Sequence, residues 1–170
     1  AEAVFYEMDV RDPKLSDVIQ KERVQIIIHE AAQPSVPASI DDPQRDAEIN
    51  ILGSINVLEA ARRNNLERIV FASSGGAVYG EPQYLPCDEI HPINPLSPYG
   101  AGKHAVEGYL RTYTRTYGTE CTILRYANVY GPGQTALGET GVIPIFLRAM
   151  LEGSSPVIFG NGEQERDFIY

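Results

Sequence analysis

With 170 residues, 43% of them hydrophobic and 22% charged, the chain has the make-up of a globular domain able to bury a core, or of one domain and part of another. Its 23 acidic and 14 basic side chains leave a net charge of -9, which disfavours a nucleic-acid partner, since phosphate backbones are met by clustered Lys and Arg. No run approaches the roughly 18 consecutive apolar residues that suggest a membrane span. Ala1–Glu7 lacks the basic-then-apolar order of a signal peptide. Cys87 and Cys121 show no metal-ligand spacing, so two buried thiols in a reducing compartment are expected, with the cytoplasm as the default location and no metal.

In chain order, Ala3–Met8 is a weak strand candidate, closed by Asp9-Val10-Arg11-Asp12-Pro13. Val24–Ile28 is short, β-branched and bounded by polar residues, the mark of a buried strand. Asp42 followed by Pro43 signals a helix start, and the helix is expected to run to about Arg63 with Ile49, Leu52, Asn56 and Ala60 along one side. Arg68–Ala72 reads as the next strand. Ser97-Pro98 repeats the start signal, and apolar or aromatic residues at 106, 109, 110, 113 and 117 predict one buried helical face ending at the cap Gly118. Cys121–Tyr126 reads as a further strand. Alternation of strand and helix predicts an α/β fold, a doubly wound parallel sheet. From Gly131 the texture changes: Gly131, Pro132, Gly133, Gly138, Gly141, Pro144, Gly153 and Pro156 suggest excursions that build a substrate region. The expected division is therefore 1–130 and 131–170.

The most informative residues are Tyr99 and Lys103, at i and i+4 of the second helix and thus on one face. A phenol of ordinary pKa about 10 is a poor base at pH 7. A neighbouring ammonium favours its ionised form. Ahead of this pair, Ser73-Ser74-Gly75-Gly76-Ala77-Val78-Tyr79-Gly80 leaves the carboxyl end of a strand, where ligands of open α/β sheets bind.

Taken with these residues, the order of blocks resembles the extended short-chain dehydrogenase/reductases, the NAD-dependent epimerases and dehydratases, and within them the UDP-glucose 4-epimerase branch. The blocks are His29–Gln33, Asn50–Ser54 with Leu58–Ala61, Ser73–Gly80, Tyr99–Lys103, Leu124–Pro132, Gly141–Pro144 and Arg166–Tyr170. The resemblance implies a Rossmann-like fold, bound NAD and a nucleotide-sugar substrate, in a homodimer. It makes Tyr99 the catalytic base and acid, with Lys103 lowering its pKa and holding the nicotinamide ribose. Asp9, Val10, Glu30, Ala31, Ala32, Gln33, Asn50 and Tyr126 would contact the cofactor. Asn128, Val142, Val157, Phe159 and Arg166 would contact the nucleotide sugar, Arg166 through a phosphate.

Two departures stand out. Gly75 occupies the place where relatives have a serine or threonine, so Ser74 is expected to serve as the third catalytic residue and to touch the substrate. No Gly-x-x-Gly-x-x-Gly precedes Asp9, so the chain is expected to be the middle of a longer protein, holding part of a cofactor site. The implied reaction is 4-epimerisation through a transient 4-keto sugar. Dehydratases of the family carry Asp-Glu where this chain has Gly76 and Ala77, which argues against dehydration. A decarboxylase, a uronate epimerase and a non-catalytic nucleotide sensor are the other readings.

Overall fold

The computed structural model describes residues 3–134 and 141–170. They form two compact units, one running to Arg125 and the other from Tyr126 to Tyr170. Gly138, like Ala1 and Glu2, lies outside the described residues.

The first unit is built on a sheet of β1 (Ile26–His29), β2 (Arg68–Ser74) and β3 (Glu120–Tyr126), in the order β1-β2-β3. β1 and β2 run parallel, with Ile26 opposite Arg68 and His29 opposite Phe71. An Arg68–Glu120 ion pair of 2.6 Å adds a side-chain link between β2 and β3. Between β1 and β2 the chain forms α2 (Val36–Asp41) and then α3 (Pro43–Ala47), a π-helical turn (Glu48–Leu52) and α4 (Gly53–Arg63) in direct succession. Asp42 caps α3 by accepting from the Arg45 amide at 3.0 Å, as its sequence position predicts. α6 (Pro98–Tyr117) follows the short α5 (Gly75–Val78) and connects β2 to β3. Ser97 caps it through the Gly100 amide, and Gly118 ends it at φ +75.

The core joins Ile19 of α1 (Leu15–Glu22), Leu58, Ala60 and Ala61 of α4, Ile69 and Phe71 of β2, and Val106, Leu110 and Tyr113 of α6. Ile27 packs against this cluster, while Ile26 and Ile28 on the other side of β1 stay exposed.

Four details depart from the expected pattern. Residues 3–8 carry no regular secondary structure and join no ladder among the described residues, so they form no strand. A π-helical turn interrupts the helix at Glu48–Leu52, and the buried face is offset from the expected one: Asp46, Asn50, Gly53 and Ser54 are buried and Leu52 is exposed. Tyr109 and Tyr117 are also exposed, and Gly102, Lys103 and Glu107 are buried on α6 in their place. Both cysteines are free and half-buried rather than buried.

The second unit pairs β4 (Asn128–Val129) with β5 (Phe168–Ile169) in parallel and contains α7 (Val142–Leu151). The excursions expected after Gly131 thus include a regular helix. Pro144 does not prevent it, because the first turn of a helix leaves backbone N–H groups unpaired anyway. No helix among the described residues is long and apolar enough to cross a membrane.

Gly80 illustrates how tightly the turn after α5 is made. It sits at φ +66, and a Cβ there would overlap the Asn94 carbonyl oxygen. Gly118 has a similar φ but open space around it. Gly80→Ala is expected to cost more than the roughly 1–2 kcal/mol of a left-handed backbone alone, and Gly118→Ala about that much only. Urea unfolding of the two variants checks the ranking; equal losses would mean that the Asn94 contact carries no weight.

Candidate active site

The carboxyl ends of β1 and β2 and the first turns of α6 meet at one place. The strands end in a run of chemistry-bearing residues: His29 and Glu30 at one, Ser73 and Ser74 at the other. α6 is held against them by its small residues. A Cβ at Gly100 would overlap the Ala77 carbonyl oxygen, so only glycine permits this approach. The Tyr99 amide donates to Ser39 Oγ at 3.2 Å, which anchors the start of α6 to α2.

Lys103 is deeply buried, 4% exposed. Its ammonium donates to the Ala72 carbonyl at 2.8 Å and lies 4.8 Å from the Phe71 ring centroid and 5.7 Å from that of Tyr99. Burial pulls its pKa down to about 8, against the raising effect of the Glu30 and Asp46 charges. An ammonium has three N–H donors; with one on Ala72, the others suit a ligand's hydroxyl groups.

The Ser74 side chain lies close enough to the Tyr99 hydroxyl to act on its titration. The Tyr99 pKa is nonetheless raised, by burial first and by the Asp46 charge second, while Ser74 works in the lowering direction. The expected lowering by Lys103 is therefore not the dominant influence in this arrangement. Ser74 itself is the N-cap residue of α5, while Gly75 opens the short helix.

Beneath the pair lies a polar network in which Asp46, not singled out by the sequence pattern, joins the expected cofactor residues Gln33 and Asn50. Asp46, 2% exposed, accepts from Gln33 Nε2 at 2.9 Å and from Asn50 Nδ2 at 2.8 Å. Asn50 also donates to the Gln33 carbonyl at 2.9 Å and accepts from the Gln33 amide at 2.8 Å. Burial raises the Asp46 pKa, and the bonds from Gln33 and Asn50 oppose this. His29 Nε2 lies 2.9 Å from Ser54 Oγ, and burial, helped by the Lys103 charge, drops its pKa to about 4, so it is neutral at pH 7. The i, i+4 spacing from Asp46 to the already marked Asn50 was the available signal for Asp46, hidden because polar residues on a helix ordinarily read as its wet face.

This donor set suits a hydroxyl- and amide-bearing cofactor at strand ends. A family model for the NAD dependent epimerase/dehydratase family matches residues 1–170. The chain belongs to that family. A Methanocaldococcus jannaschii protein with a provisional UDP-glucose 4-epimerase name is 55% identical over 99% of this chain and 55% of its own length. The UDP-glucose 4-epimerase of Mycolicibacterium smegmatis is 43% identical over 98% of this chain and 53% of its own. Among solved structures, the Thermotoga maritima UDP-glucose 4-epimerase with UDP-glucose superposes with a TM-score of 0.96 at 43% identity, covering 99% of this chain and 55% of that one. The Thermus thermophilus UDP-glucose 4-epimerase in complex with NAD gives 0.90 at 42% identity, covering 98% and 56%. The chain thus spans about half the length of these relatives.

The family's expected contacts divide by environment. Tyr99, Lys103 and Ser74 are brought together, and Gln33 and Asn50 are tied to one another close by through Asp46. Glu30 and Ala31 are exposed and Ala32 half-buried along the segment leaving β1. Asp9 is not joined to that cluster. Arg11 binds its carboxylate at 2.8 and 2.9 Å and holds its pKa down to about 2. Val10 packs over Gly53 and gives its carbonyl to Asn56 at 2.7 Å. In the second unit, Tyr126 begins the segment and Asn128 donates its side-chain amide to the Asp167 carbonyl at 3.0 Å. Val142, Val157 and Phe159 are exposed there, and Arg166 donates to the Glu165 carbonyl. Among the described residues no group of His, Cys, Asp and Glu could hold a metal ion.

Proposed function

We propose that the protein is an NAD-dependent 4-epimerase of a nucleotide sugar of the UDP-glucose/UDP-galactose type. The observation that carries this reading is the Tyr99 ring beside the buried Lys103 ammonium, 5.7 Å from the ring centroid, with Ser74 close by at the carboxyl end of a parallel strand, in a chain of this family. Tyr99 takes the proton of the sugar 4-hydroxyl, and Ser74 orients that hydroxyl and supports the phenolate. Bound NAD supplies the hydride acceptor and a positive charge. Lys103 holds the cofactor's ribose hydroxyls, and its charge opposes the effect of Asp46 on Tyr99. When the 4-keto sugar has turned over, Tyr99 returns the proton to the oxygen it took it from, so the catalyst ends as it began.

Gln33 and Asn50, with Asp9, Val10, Glu30, Ala31, Ala32 and Tyr126, are proposed for the cofactor. Asn128, Val142, Val157, Phe159 and Arg166 are proposed for the nucleotide sugar, with 1–130 as the cofactor region and 131–170 as the sugar region. A cytoplasmic homodimer acting in galactose metabolism fits this reading, and the exposed Leu52 and Tyr109 on α4's lead-in and α6 suit a subunit contact. Dehydration is disfavoured, because Gly76 and Ala77 bring no carboxylate to the turn after Ser74.

The test is to incubate the purified protein with UDP-glucose and follow UDP-galactose by NMR. Interconversion with no net change in NAD is expected. A 4-keto-6-deoxy product, or no product with NAD bound, would overturn the proposal. In the active protein, Ser74→Ala is expected to lower kcat by about tenfold to 10²-fold, the worth of a bond to a charged group. It should also move the acid limb of the kcat profile to higher pH, since the Ser74 bond favours the ionised phenol. A limb that stays in place would remove Ser74 from that role.

A further inference from the structure

Glu107 is fully buried on α6, 0% exposed, and none of the steps above uses it. It accepts from Ser73 Oγ at 2.7 Å, from Arg125 Nε and Nη2 at 2.9 and 2.7 Å, and from Arg111 Nη2 at 3.0 Å. His104 Nδ1 lies 3.7 Å away. Arg125 in turn donates to the Tyr79 hydroxyl at 2.9 Å and stacks on that ring. Burial pushes the Glu107 carboxyl up, but the bonds from Arg125 and Ser73 and the charges of Arg125 and Arg111 outweigh it and bring the pKa down to about 2. The carboxylate is thus charged at any working pH.

The placement of these bonds is what matters. Residues 99, 103 and 107 recur at i, i+4 and i+8 on one face of α6, and they meet three consecutive residues of β2: Lys103 bonds Ala72, Glu107 bonds Ser73, and Ser74 acts on the Tyr99 hydroxyl. The segment from Ser74 to Val78 is pinned at both flanks by the same carboxylate, directly at Ser73 and through Arg125 at Tyr79. A carboxylate that only balanced arginine charge could do so from the surface at far lower desolvation cost.

We infer that Glu107 is a positioning residue that fixes α6 against the Ser73–Tyr79 turn and so sets the Ser74 hydroxyl on the Tyr99 phenol. This rests on the epimerase reading. Its consequence is separable from general stability. Tyr99 is faced by Ser74 from β2, by Asp46 from α3 and by Lys103 from its own helix, and only the Ser74 bond depends on the turn. Loosening the turn weakens the one bond that favours the phenolate. Loss of a negative charge by itself would favour the phenolate, so position and charge act on the kcat profile in opposite directions.

The experiment uses the holoenzyme with UDP-glucose and UDP-galactose, measuring kcat and KM across pH for Ser73→Ala and Glu107→Gln. Ser73→Ala removes the link without stranding a buried charge. It is expected to lower kcat by about tenfold, the worth of one well-placed hydrogen bond, to move the acid limb to higher pH and to leave KM little changed. Glu107→Gln is expected to lower kcat by about 10²-fold, the cost of a misplacement of about 1 Å, with the limb shifted the same way. If Glu107→Gln does not fold, the Ser73→Ala profile decides alone. An active wild type with an unshifted or acid-shifted limb in Ser73→Ala would overturn this inference and leave the epimerase reading intact, whereas an inactive wild type would overturn both.

Discussion

Tyr99→Phe is expected to abolish turnover while sparing the fold and the binding of cofactor and sugar. The variant removes one oxygen from a half-buried ring and keeps the ring's packing. Loss of its bond to Ser74 should cost about 1 kcal/mol of stability or less, because Ser74 sits where water can replace the partner. The chemical loss is far larger. A positioned acid or base contributes about 10² to 10⁴ in rate, and here one group must both remove a proton and return it, so a fall in kcat of at least about 10³ is expected. Burial and Asp46 favour the protonated phenol, so the positive charges of Lys103 and of bound NAD, with Ser74, must favour the phenolate for Tyr99 to act as base. Kinetics and calorimetric titration of UDP-glucose on the same preparation separate the two outcomes. A variant that retains more than a tenth of wild-type kcat would show that the proton passes elsewhere, and a variant that loses sugar binding with its fold intact would make Tyr99 a binding group first.

Much of this site could be read from local signals. The caps Asp42, Ser97 and Gly118 mark helix ends by backbone chemistry that tertiary context rarely overrides. Tyr99 and Lys103 could be placed on one face because their spacing lies in the first turns of a well-signalled helix. What stayed hidden depended on long-range burial. Glu107 carries the same residue type as a solvated helical position, and only Ser73 and Arg125, brought from β2 and β3, convert it to a buried anchor. Asp46 was hidden because a polar residue in a helix reads as its wet face, and only its bonds from Gln33 and Asn50, which the family blocks had marked, show it as a buried partner. The strand expected at residues 3–8 failed for the opposite reason: its β-branched and aromatic content suits a strand, but a strand exists only by pairing, and among the described residues none pairs with it. α7 was obscured by Gly141 and Pro144, two breakers that are harmless at a helix N-terminus.

Lys103→Met is expected to lose activity and gain stability at the same time. Met matches the length of the side chain, fills the space beside Phe71 and carries no charge into a site that is 4% exposed. Without the ammonium, the ribose loses its hydrogen-bond donor and the Tyr99 phenolate its nearest positive neighbour on the protein, so kcat should fall by about 10² to 10³. Stability moves the other way. The folded protein lowers the lysine pKa to about 8 from an ordinary 10.5, so it disfavours the charged form. Below pH 8 both folded and unfolded chains are protonated and the cost is fully present. Between about 8 and 10.5 the unfolded chain binds the extra proton, so wild-type stability rises with pH through this window; above it the cost is gone. At pH 7 the variant should therefore be the more stable by on the order of 2–3 kcal/mol, less the lost bond to Ala72. That advantage should shrink as pH rises past 8. Urea unfolding at neutral and alkaline pH measures it directly. A variant less stable than wild type at pH 7 would make Lys103 a structural prop, whereas the expected result makes it a group that the fold tolerates for its chemistry, as buried charges at working sites commonly are.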